Sequence, residues 1–171
     1  MAMRNWMAGL FLVLAAAIPA HAQKKAHADL INAKGQPVGT ATFKQTKAGV
    51  SISLALNDLP PGTHGIHIHA VGKCDAPDFK TAGGHFNPDA KKHGEKNPQG
   101  AHNGDLGNIA VNAKGLVKTT KLAKNVTLGP GANSLFGTDG TALVIHADSD
   151  DEMTDPSGNS GARIACGIIQ K

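Results

Sequence analysis

Short runs of alternating apolar and polar residues follow one another along most of the chain. The clearest are residues 49–56 (GVSISLAL) and 64–70 (HGIHIHA), and such alternation is typical of a β-strand with one buried face. Glycine-containing turns separate neighbouring runs, and no segment shows convincing helical periodicity. We therefore predict an all-β fold, an antiparallel sandwich or barrel. The eight predicted strands are residues 27–32, 38–45, 49–56, 64–70, 107–112, 115–121, 141–146 and 162–169.

Two long segments interrupt this succession of strands. Residues 71–106 contain Gly, Pro, Asp, Lys and three histidines without a strand pattern, and residues 147–161 (ADSDDEMTDPSGNSG) are acidic and rich in turn-forming residues. Loops of this length in a compact domain are usually functional. We expect the long loop and the shorter acidic loop to carry the chemistry of the protein.

The N-terminus has the pattern of a signal peptide. Arg4 precedes an apolar run at residues 6–18, and Ala20-His21-Ala22 fits the small-x-small rule of a cleavage site. A membrane anchor is the alternative, but the apolar run is shorter than the roughly 20 residues of a membrane-spanning helix. We predict a signal peptide at residues 1–22, cleaved to leave a single exported domain at residues 23–171 with no membrane partner.

Composition narrows the class of protein further. The chain has 171 residues, enough for one domain, with 40% hydrophobic and 18% charged residues. Its net charge of +4 is too small to indicate a nucleic-acid partner. The two cysteines are Cys74 and Cys166. In an oxidising compartment we expect them to form a disulfide, the alternative being two free thiols.

Nine histidines stand out in a chain without tyrosine. His67 and His69 point to one face of their predicted strand, because successive side chains of a strand alternate between two faces. Ile66 and Ile68 then face the core. His64 shares their direction, so we expect it to support a site by hydrogen bonding rather than to bind a metal. Two imidazoles on one strand face are half of a metal site, and exposed polar positions are the simpler alternative.

A second set of metal-ligating residue types lies in the long loop. His85, His93 and His102 fall within 18 residues, and Asp105 follows them. Three imidazoles and one carboxylate make a complete tetrahedral zinc set, and four protein ligands indicate a structural site rather than a hydrolytic one. The alternative is a solvated loop that bears histidines without binding a metal.

His146 ends an apolar run and begins the acidic loop. A Greek-key return of the chain brings it beside His67 and His69, and a site of nitrogen ligands alone suits copper. A metal-bound histidine usually donates its second N–H to a carboxylate or a carbonyl. The candidates for this purpose are the three aspartates that closely follow His146 in the acidic loop, Asp148, Asp150 and Asp151.

Six short motifs occur in order after the predicted cleavage site. They are Gly65-Ile-His67-Ile-His69, Gly84-His85-Phe-Asn-Pro88, Lys92-His93-Gly94, His102-Asn-Gly104-Asp105-Leu-Gly-Asn108, Leu143-Val-Ile-His146 and Gly161-Ala-Arg163-Ile-Ala-Cys166-Gly167. Each is modest alone, but the ordered set is highly specific. It resembles the copper/zinc superoxide dismutases, in their exported bacterial form, over nearly the whole of residues 23–171.

The resemblance implies a role for each of these residues. The implied copper ligands are His67, His69, His85 and His146. The implied zinc ligands are His85, His93, His102 and Asp105, so that His85 bridges the two metals. Asp150 links a copper histidine to a zinc histidine, and Arg163 holds the anionic substrate at the mouth of the copper channel. The Cys74–Cys166 disulfide ties the long loop to the barrel.

The resemblance also implies the fold and the activity. The fold is an eight-stranded antiparallel Greek-key β-barrel with a long metal-binding loop and a short acidic channel loop. The activity is the disproportionation of superoxide to oxygen and hydrogen peroxide, an antioxidant defence, with one copper and one zinc ion per subunit. Copper carries the redox change, while zinc holds His85 and His85 passes a proton. The exported bacterial form also implies the periplasm as the location. For this chain we expect a homodimer, with a monomer as the alternative.

Two features separate this chain from the animal cytosolic enzymes of that family. The acidic loop is shorter, and Pro156 stands where those enzymes carry a channel lysine. Electrostatic guidance of the substrate then depends on Arg163 and the metals, with Lys91, Lys92 and Lys96 as further contributors.

Three other hypotheses compete with this one. A non-enzymatic copper-handling protein on the same fold typically lacks a copper ligand or the channel arginine, and here all are present. A zinc hydrolase needs an open zinc position, which Asp105 as a fourth ligand would fill. A plain adhesion domain leaves the matched metal ligands unexplained.

Overall fold

The computed structural model describes residues 24–171, and the predicted signal peptide at residues 1–22 lies outside the described residues. The described chain forms eight β-strands and one short 3₁₀ turn at Lys80–Ala82. Its strands are β1 (Lys25–Asn32), β2 (Pro37–Thr46), β3 (Gly49–Leu56), β4 (Gly62–His69), β5 (Asp105–Val111), β6 (Val117–Ala123), β7 (Ala142–His146) and β8 (Arg163–Ile168). No helix within residues 24–171 is long and apolar enough to cross a membrane.

The strands form one antiparallel sheet in the order β5-β4-β7-β8-β1-β2-β3-β6. β1, β2 and β3 follow one another as hairpins, after which the chain crosses to the far side of the sheet to form β4. The two edge strands, β5 and β6, lie side by side and nearly close the barrel. There the Lys121 ammonium of β6 donates a hydrogen bond to the Asn108 carbonyl of β5 at 3.0 Å. The predicted eight-stranded antiparallel Greek-key barrel is confirmed, and every predicted strand bound lies within two residues of the observed one.

Alternate residues of the strands fill the interior of the barrel. In β3, Ile52 and Leu54 are buried whereas Ser53 and Ala55 face outward, as the alternating pattern predicts. Phe43 of β2 is among the largest fully buried side chains in this core. Removing such apolar surface from water is the main stabilising contribution to a fold of this kind.

β7 is buried on both of its faces. Leu143 and Ile145 belong to the barrel core, whereas Ala142 and Val144 point outward and are also fully buried. The outward pair packs in a second small cluster with Phe79 of the long loop. The long loop therefore covers the outer face of the barrel at this strand, so side chains that point outward here are shielded from water.

A disulfide between Cys74 and Cys166 fastens the long loop to β8. The predicted pairing is confirmed, and the two cysteines are 92 positions apart in the sequence. Cys166 lies in the same small cluster as Phe79 and Val144. Covalent attachment and apolar packing thus hold the start of the long loop against the same two strands.

We expect removal of this disulfide to destabilise the protein strongly. For a closed loop of this length, the chain-entropy model gives a loss of about 4–5 kcal/mol in the free energy of unfolding. The measurement is urea denaturation of residues 23–171 and of the Cys74→Ser/Cys166→Ser double variant. Adding a reductant should destabilise the unsubstituted protein and leave the variant unchanged. A difference below about 1 kcal/mol between the two proteins would contradict the expectation.

Candidate metal centre

Four histidine rings meet on the outer face of the barrel, and we call them the four-histidine cluster: His67, His69, His85 and His146. Two come from β4 and one from the end of β7, the strand paired with β4. The fourth comes from the long loop, with its ring centroid 4.0 Å from that of His67. His67 and His69 point outward as the sequence predicts, yet they are almost completely buried. Because the loops cover this face, the exposed-position alternative does not apply to them.

Hydrogen bonds to the far side of three of these rings fix which ring nitrogen is free. Nδ1 of His69 lies 2.9 Å from the carbonyl oxygen of Gly83, and Nδ1 of His146 lies 3.2 Å from that of Gly161. Nε2 of His67 lies 2.8 Å from a carboxylate oxygen of Asp150. Carbonyl and ionised carboxylate oxygens only accept hydrogen bonds, so each of these nitrogens carries the hydrogen. The other nitrogen of each neutral ring then presents a lone pair.

The free nitrogens are buried and point at one another. Within residues 24–171 no hydrogen-bond partner is found for the following ring nitrogens of the cluster: Nδ1 of His67 and Nε2 of His69, His85 and His146. Burying an unpaired polar atom is costly, so such a group of four requires an explanation. One ring nitrogen of each histidine lies within 4.8 Å of one from every other. Four convergent imidazole lone pairs are a donor set that fits copper.

A second group, which we call the aspartate cluster, consists of His85, His93, His102 and Asp105. The Nδ1 atoms of its three histidines lie 2.8, 3.1 and 3.2 Å from the same oxygen, Oδ1 of Asp105. Ligands about 2.0–2.1 Å from a tetrahedral zinc ion are separated by roughly 3.3 Å, so these donors fit zinc. A tighter geometric grouping takes His67 in place of His102. We assign His102 here because Nε2 of His67 is already bonded to Asp150.

Asp150 joins the two clusters through one carboxylate. Its Oδ2 accepts from Nε2 of His67, and its Oδ1 lies 2.9 Å from Nε2 of His93. The backbone of Asp150 is held in turn by the side-chain amide of Asn108, at 2.7 and 2.8 Å. The structure therefore places one aspartate of the acidic loop between a histidine of each cluster.

His64 lies at the start of β4, behind the four-histidine cluster. It is 3% exposed, and its Nδ1 lies 2.8 Å from the carbonyl oxygen of His146. Its Nε2 lies 2.8 Å from the carbonyl oxygen of Pro60. This ring braces the backbone of His146 and is not a member of either cluster, in the position that the sequence predicts.

Arg163 lies at the mouth of the four-histidine cluster. Two of its guanidinium nitrogens donate hydrogen bonds of 2.6 Å to the carbonyl oxygens of Phe79 and Gly83 in the long loop. The carbonyl of Gly83 also accepts from His69, so one carbonyl orients both side chains. A cavity of about 200 Å³ opens over the cluster. It is lined by Arg163, His69, His85, His146, Pro156 and Ser157, together with two glycines.

The burial of the four-histidine cluster keeps its rings neutral. Loss of hydration, together with repulsion from neighbouring rings, lowers the pKa of His69 to about 2, of His85 to about 4 and of His146 to about 3. Burial also lowers the pKa of His67. In contrast, burial opposes the charge of His93, but the hydrogen bonds that its ring donates to Asp105 and Asp150 outweigh this effect and raise that pKa to about 9. Neutral imidazoles are the form that binds a metal.

The family model for copper/zinc superoxide dismutases matches residues 37–169 of this chain. A protein of Aquifex aeolicus named superoxide dismutase [Cu-Zn] 1 is 53% identical over 148 residues, which cover 85% of this chain and 88% of that protein. The chain belongs to the copper/zinc superoxide dismutase family. It is therefore an enzyme that disproportionates superoxide to oxygen and hydrogen peroxide, and its cofactors are copper and zinc.

Solved structures of the family share the fold. A superoxide dismutase-like protein from Bacillus subtilis superimposes with a TM-score of 0.81 at 43% identity, covering 83% of this chain and 96% of that one. The copper/zinc superoxide dismutase from Brucella abortus gives a TM-score of 0.69 at 28% identity, covering 86% of this chain and the whole of that one. The resemblance drawn from the motifs is thus confirmed for family and fold.

The structure adds contacts at the centre that the sequence pattern did not predict. Asp155 of the acidic loop accepts a hydrogen bond of 2.6 Å from the backbone N–H of His93 and pairs with Lys92 at 2.7 Å. Lys96 lies 3.8 Å from Glu152. The expectation that Lys92 and Lys96 guide the substrate is weakened, because acidic side chains neutralise both. Pairs between residues some 60 positions apart leave no periodic signal in a single sequence.

One glycine of the acidic loop is also required by the close approach of the two loops. Gly158 has a φ of +64°, which favours glycine, and a Cβ there would lie 2.7 Å from Nε2 of His93. The same Cβ would collide with the carboxylate of Asp150. Only a residue without a side chain leaves room for the Asp150–His93 hydrogen bond.

The pKa shifts predict how the metal-free protein responds to pH. His69, His85 and His146 titrate near 6.5 when unfolded and at about 2–4 when folded, so the unfolded state binds more protons between pH 4 and 6.5. Stability should therefore fall as the pH drops from 6.5 to 4, by up to about 1.4 kcal/mol per pH unit for each histidine. The contribution of His93 has the opposite sign, and it is lost as the pH rises from 6.5 through 9.

Urea denaturation of the metal-free protein at pH 4.5, 6.5 and 8.5 measures this profile, and we expect a maximum near pH 6.5. His69→Gln should reduce the slope on the acid side. His27→Gln replaces an exposed histidine on β1 and is the matched control. Equal stability at pH 4.5 and 6.5 would show that the buried rings do not carry this linkage.

Proposed function

We propose that superoxide reacts at the four-histidine cluster, with copper held by His67, His69, His85 and His146. The observation that carries this proposal is the convergence of four buried ring nitrogens that lack hydrogen-bond partners within residues 24–171. Bound copper supplies a one-electron redox couple, through which one superoxide is oxidised to oxygen and the next is reduced to peroxide. The cavity above these rings is wide enough for a diatomic anion.

The aspartate cluster holds zinc in this proposal, and His85 connects it to the copper site. Nδ1 of His85 lies in the aspartate cluster, 2.8 Å from Asp105, whereas its Nε2 belongs to the four-histidine cluster. One imidazole thus serves both sites. Reduction of superoxide to hydrogen peroxide consumes one electron and two protons. Nε2 of His85 faces the cavity and, while free of metal, would carry one of these protons to the substrate, and water would supply the other. Zinc has no redox chemistry and keeps the ring oriented.

Arg163 binds the substrate in this proposal. Its guanidinium is always charged and is fixed by two carbonyls of the long loop. Among residues 24–171, Arg163 is the only arginine or lysine that lines this cavity. A positive charge focused in a narrow cleft raises the local concentration of an anionic substrate. The disulfide holds this loop in place, and so fixes Arg163 through the loop carbonyls.

Asp150 and His64 act as positioning residues rather than catalytic ones. Asp150 fixes the tautomer of His67 and the orientation of His93 through its two oxygens. His64 supports the backbone carbonyl of His146. Both residues act through the side chains that bind the metals.

The site of action in this proposal is the periplasm. Residues 1–22 have the charge and hydrophobicity pattern of a cleaved signal peptide. The Cys74–Cys166 disulfide supports export, because such bonds persist in oxidising compartments. Superoxide that arises outside the cytoplasm would then be the substrate.

Superoxide consumption by residues 23–171 loaded with copper and zinc tests the proposed site. We expect rapid turnover that His146→Ala abolishes, because the variant loses one of four copper ligands, while His27→Ala retains it. Arg163→Gln should keep both metals and lower kcat/KM by about ten-fold or more, with a weaker dependence on ionic strength. Tight binding of both metals without turnover would contradict the proposed catalysis and indicate a metal-handling protein.

Asp150→Asn tests the link between the two clusters. An amide cannot accept two hydrogen bonds from the rings through both of its terminal atoms, so one histidine loses its partner. We expect the affinity for the metals to fall by roughly 10- to 100-fold, as measured by competition with a chelator. Asp148→Asn, a change of equal charge in the same loop, is the control. Equal effects of the two substitutions would leave no special role for Asp150.

A further inference from the structure

A second cavity lies where the start of β1 meets the β6–β7 connection and the end of the chain. Its volume is about 450 Å³, against about 200 Å³ for the cavity over the four-histidine cluster, and the two share no residue. We call it the lysine cavity. Its lining includes Lys24, Lys25, Lys171, Leu128, Pro130 and Phe136.

The rim of the lysine cavity carries positively charged side chains. Three lysines line it, and its lining contains no aspartate or glutamate. The lysine ion pairs within residues 24–171 are Lys80–Asp78, Lys92–Asp155 and Lys96–Glu152, so none involves this rim. The three ammonium groups are therefore free to meet an anion.

A further lysine on β2 adds positive charge beside the lysine cavity, and its repulsion from a cavity lysine on β1 destabilises the fold. Lys25 of β1 lies directly opposite Lys44 of β2 in the antiparallel register, and both are exposed. Like charges that face each other across two strands are destabilising. A bound anion would relieve this repulsion, which is an independent indication of what the surface accepts.

The inner part of the lysine cavity is apolar. Leu128 is buried, and the partly buried Phe136 packs against the barrel core. The ammonium of Lys171 lies over the Phe136 ring, 4.9 Å from its centre, in a cation–π contact. A positive charge therefore lies directly beside an aromatic surface. A ligand that fits must therefore combine a negative group with an apolar portion.

We propose that the lysine cavity binds an organic phosphate. Its phosphate group contacts Lys24, Lys25 and Lys171, and its apolar portion lies on Leu128, Pro130 and Phe136. Lysine binds phosphate as a point charge and does not require a fixed planar geometry. The same chemistry is offered by a small soluble organic phosphate and by the headgroup of an anionic phospholipid.

Calorimetric titration of the copper- and zinc-loaded protein with phenyl phosphate and with inorganic phosphate tests the proposal. We expect phenyl phosphate to bind with a Kd in the millimolar range or tighter, and more tightly than inorganic phosphate. Lys24→Gln/Lys171→Gln should weaken binding by about ten-fold or more, because two charged contacts are lost. Phe136→Leu should reduce the preference for phenyl phosphate over inorganic phosphate.

Lys34→Gln/Lys114→Gln is the matched control, since it removes the same charge from two turns at the opposite end of the barrel. All variants should retain superoxide turnover, which shows that they are folded. Sedimentation with phosphatidylglycerol vesicles, compared with phosphatidylcholine vesicles, distinguishes the two sources. Capture by phosphatidylglycerol that depends on Lys24 and Lys171 assigns the lipid headgroup, and binding of phenyl phosphate alone assigns a soluble ligand. Absence of both, or equal weakening in the control variant, would overturn the proposal.

Discussion

The architecture of the metal centre depends on the burial of histidine rings whose outer nitrogens are all tied to fixed acceptors. Each of three rings donates a hydrogen bond to one fixed acceptor. The acceptors are the carbonyl oxygens of Gly83 and Gly161 and the carboxylate of Asp150. This leaves the lone pairs pointing inward, where no group within residues 24–171 pairs with them. Burial keeps the rings unprotonated, and so the fold prepares in advance the form that binds a metal.

The barrel and the loops divide this work between them. β4 and β7 are hydrogen-bonded neighbours and hold three of the histidines at fixed spacing, as a rigid strand pair can. The long loop and the acidic loop contribute the carbonyls, the remaining histidines and Asp150, and the start of β5 contributes Asp105. The loops are held by the Cys74–Cys166 bond, by the Phe79 packing and by the Asp155–His93 hydrogen bond. Function therefore rests on loops that are fastened to the barrel and to each other at several points.

Charge is distributed differently at the two cavities of the molecule. Over the four-histidine cluster, one arginine provides the positive charge, while nearby lysines of the long loop are paired with acidic side chains. At the lysine cavity, three lysines form no ion pair with an acidic side chain of the described part of the chain, residues 24–171. A small diatomic anion is suited to the first, and a larger anion with an apolar portion is suited to the second.

The sequence by itself determined the eight strands and the inward and outward directions along β3 and β4, because alternation is a local property of the chain. It also determined the cysteine pairing, because the chain has only two cysteines. The ordered motifs also indicated which histidines and aspartates belong to the site. Only the tertiary structure decided that the outward His67 and His69 are buried. It also decided that the carbonyl of Gly83 orients both His69 and Arg163. Finally, it paired Lys92 and Lys96 with acidic side chains that neutralise them. These features arise where loops distant in sequence close over the barrel, and burial and pairing depend on that closure rather than on neighbouring residues.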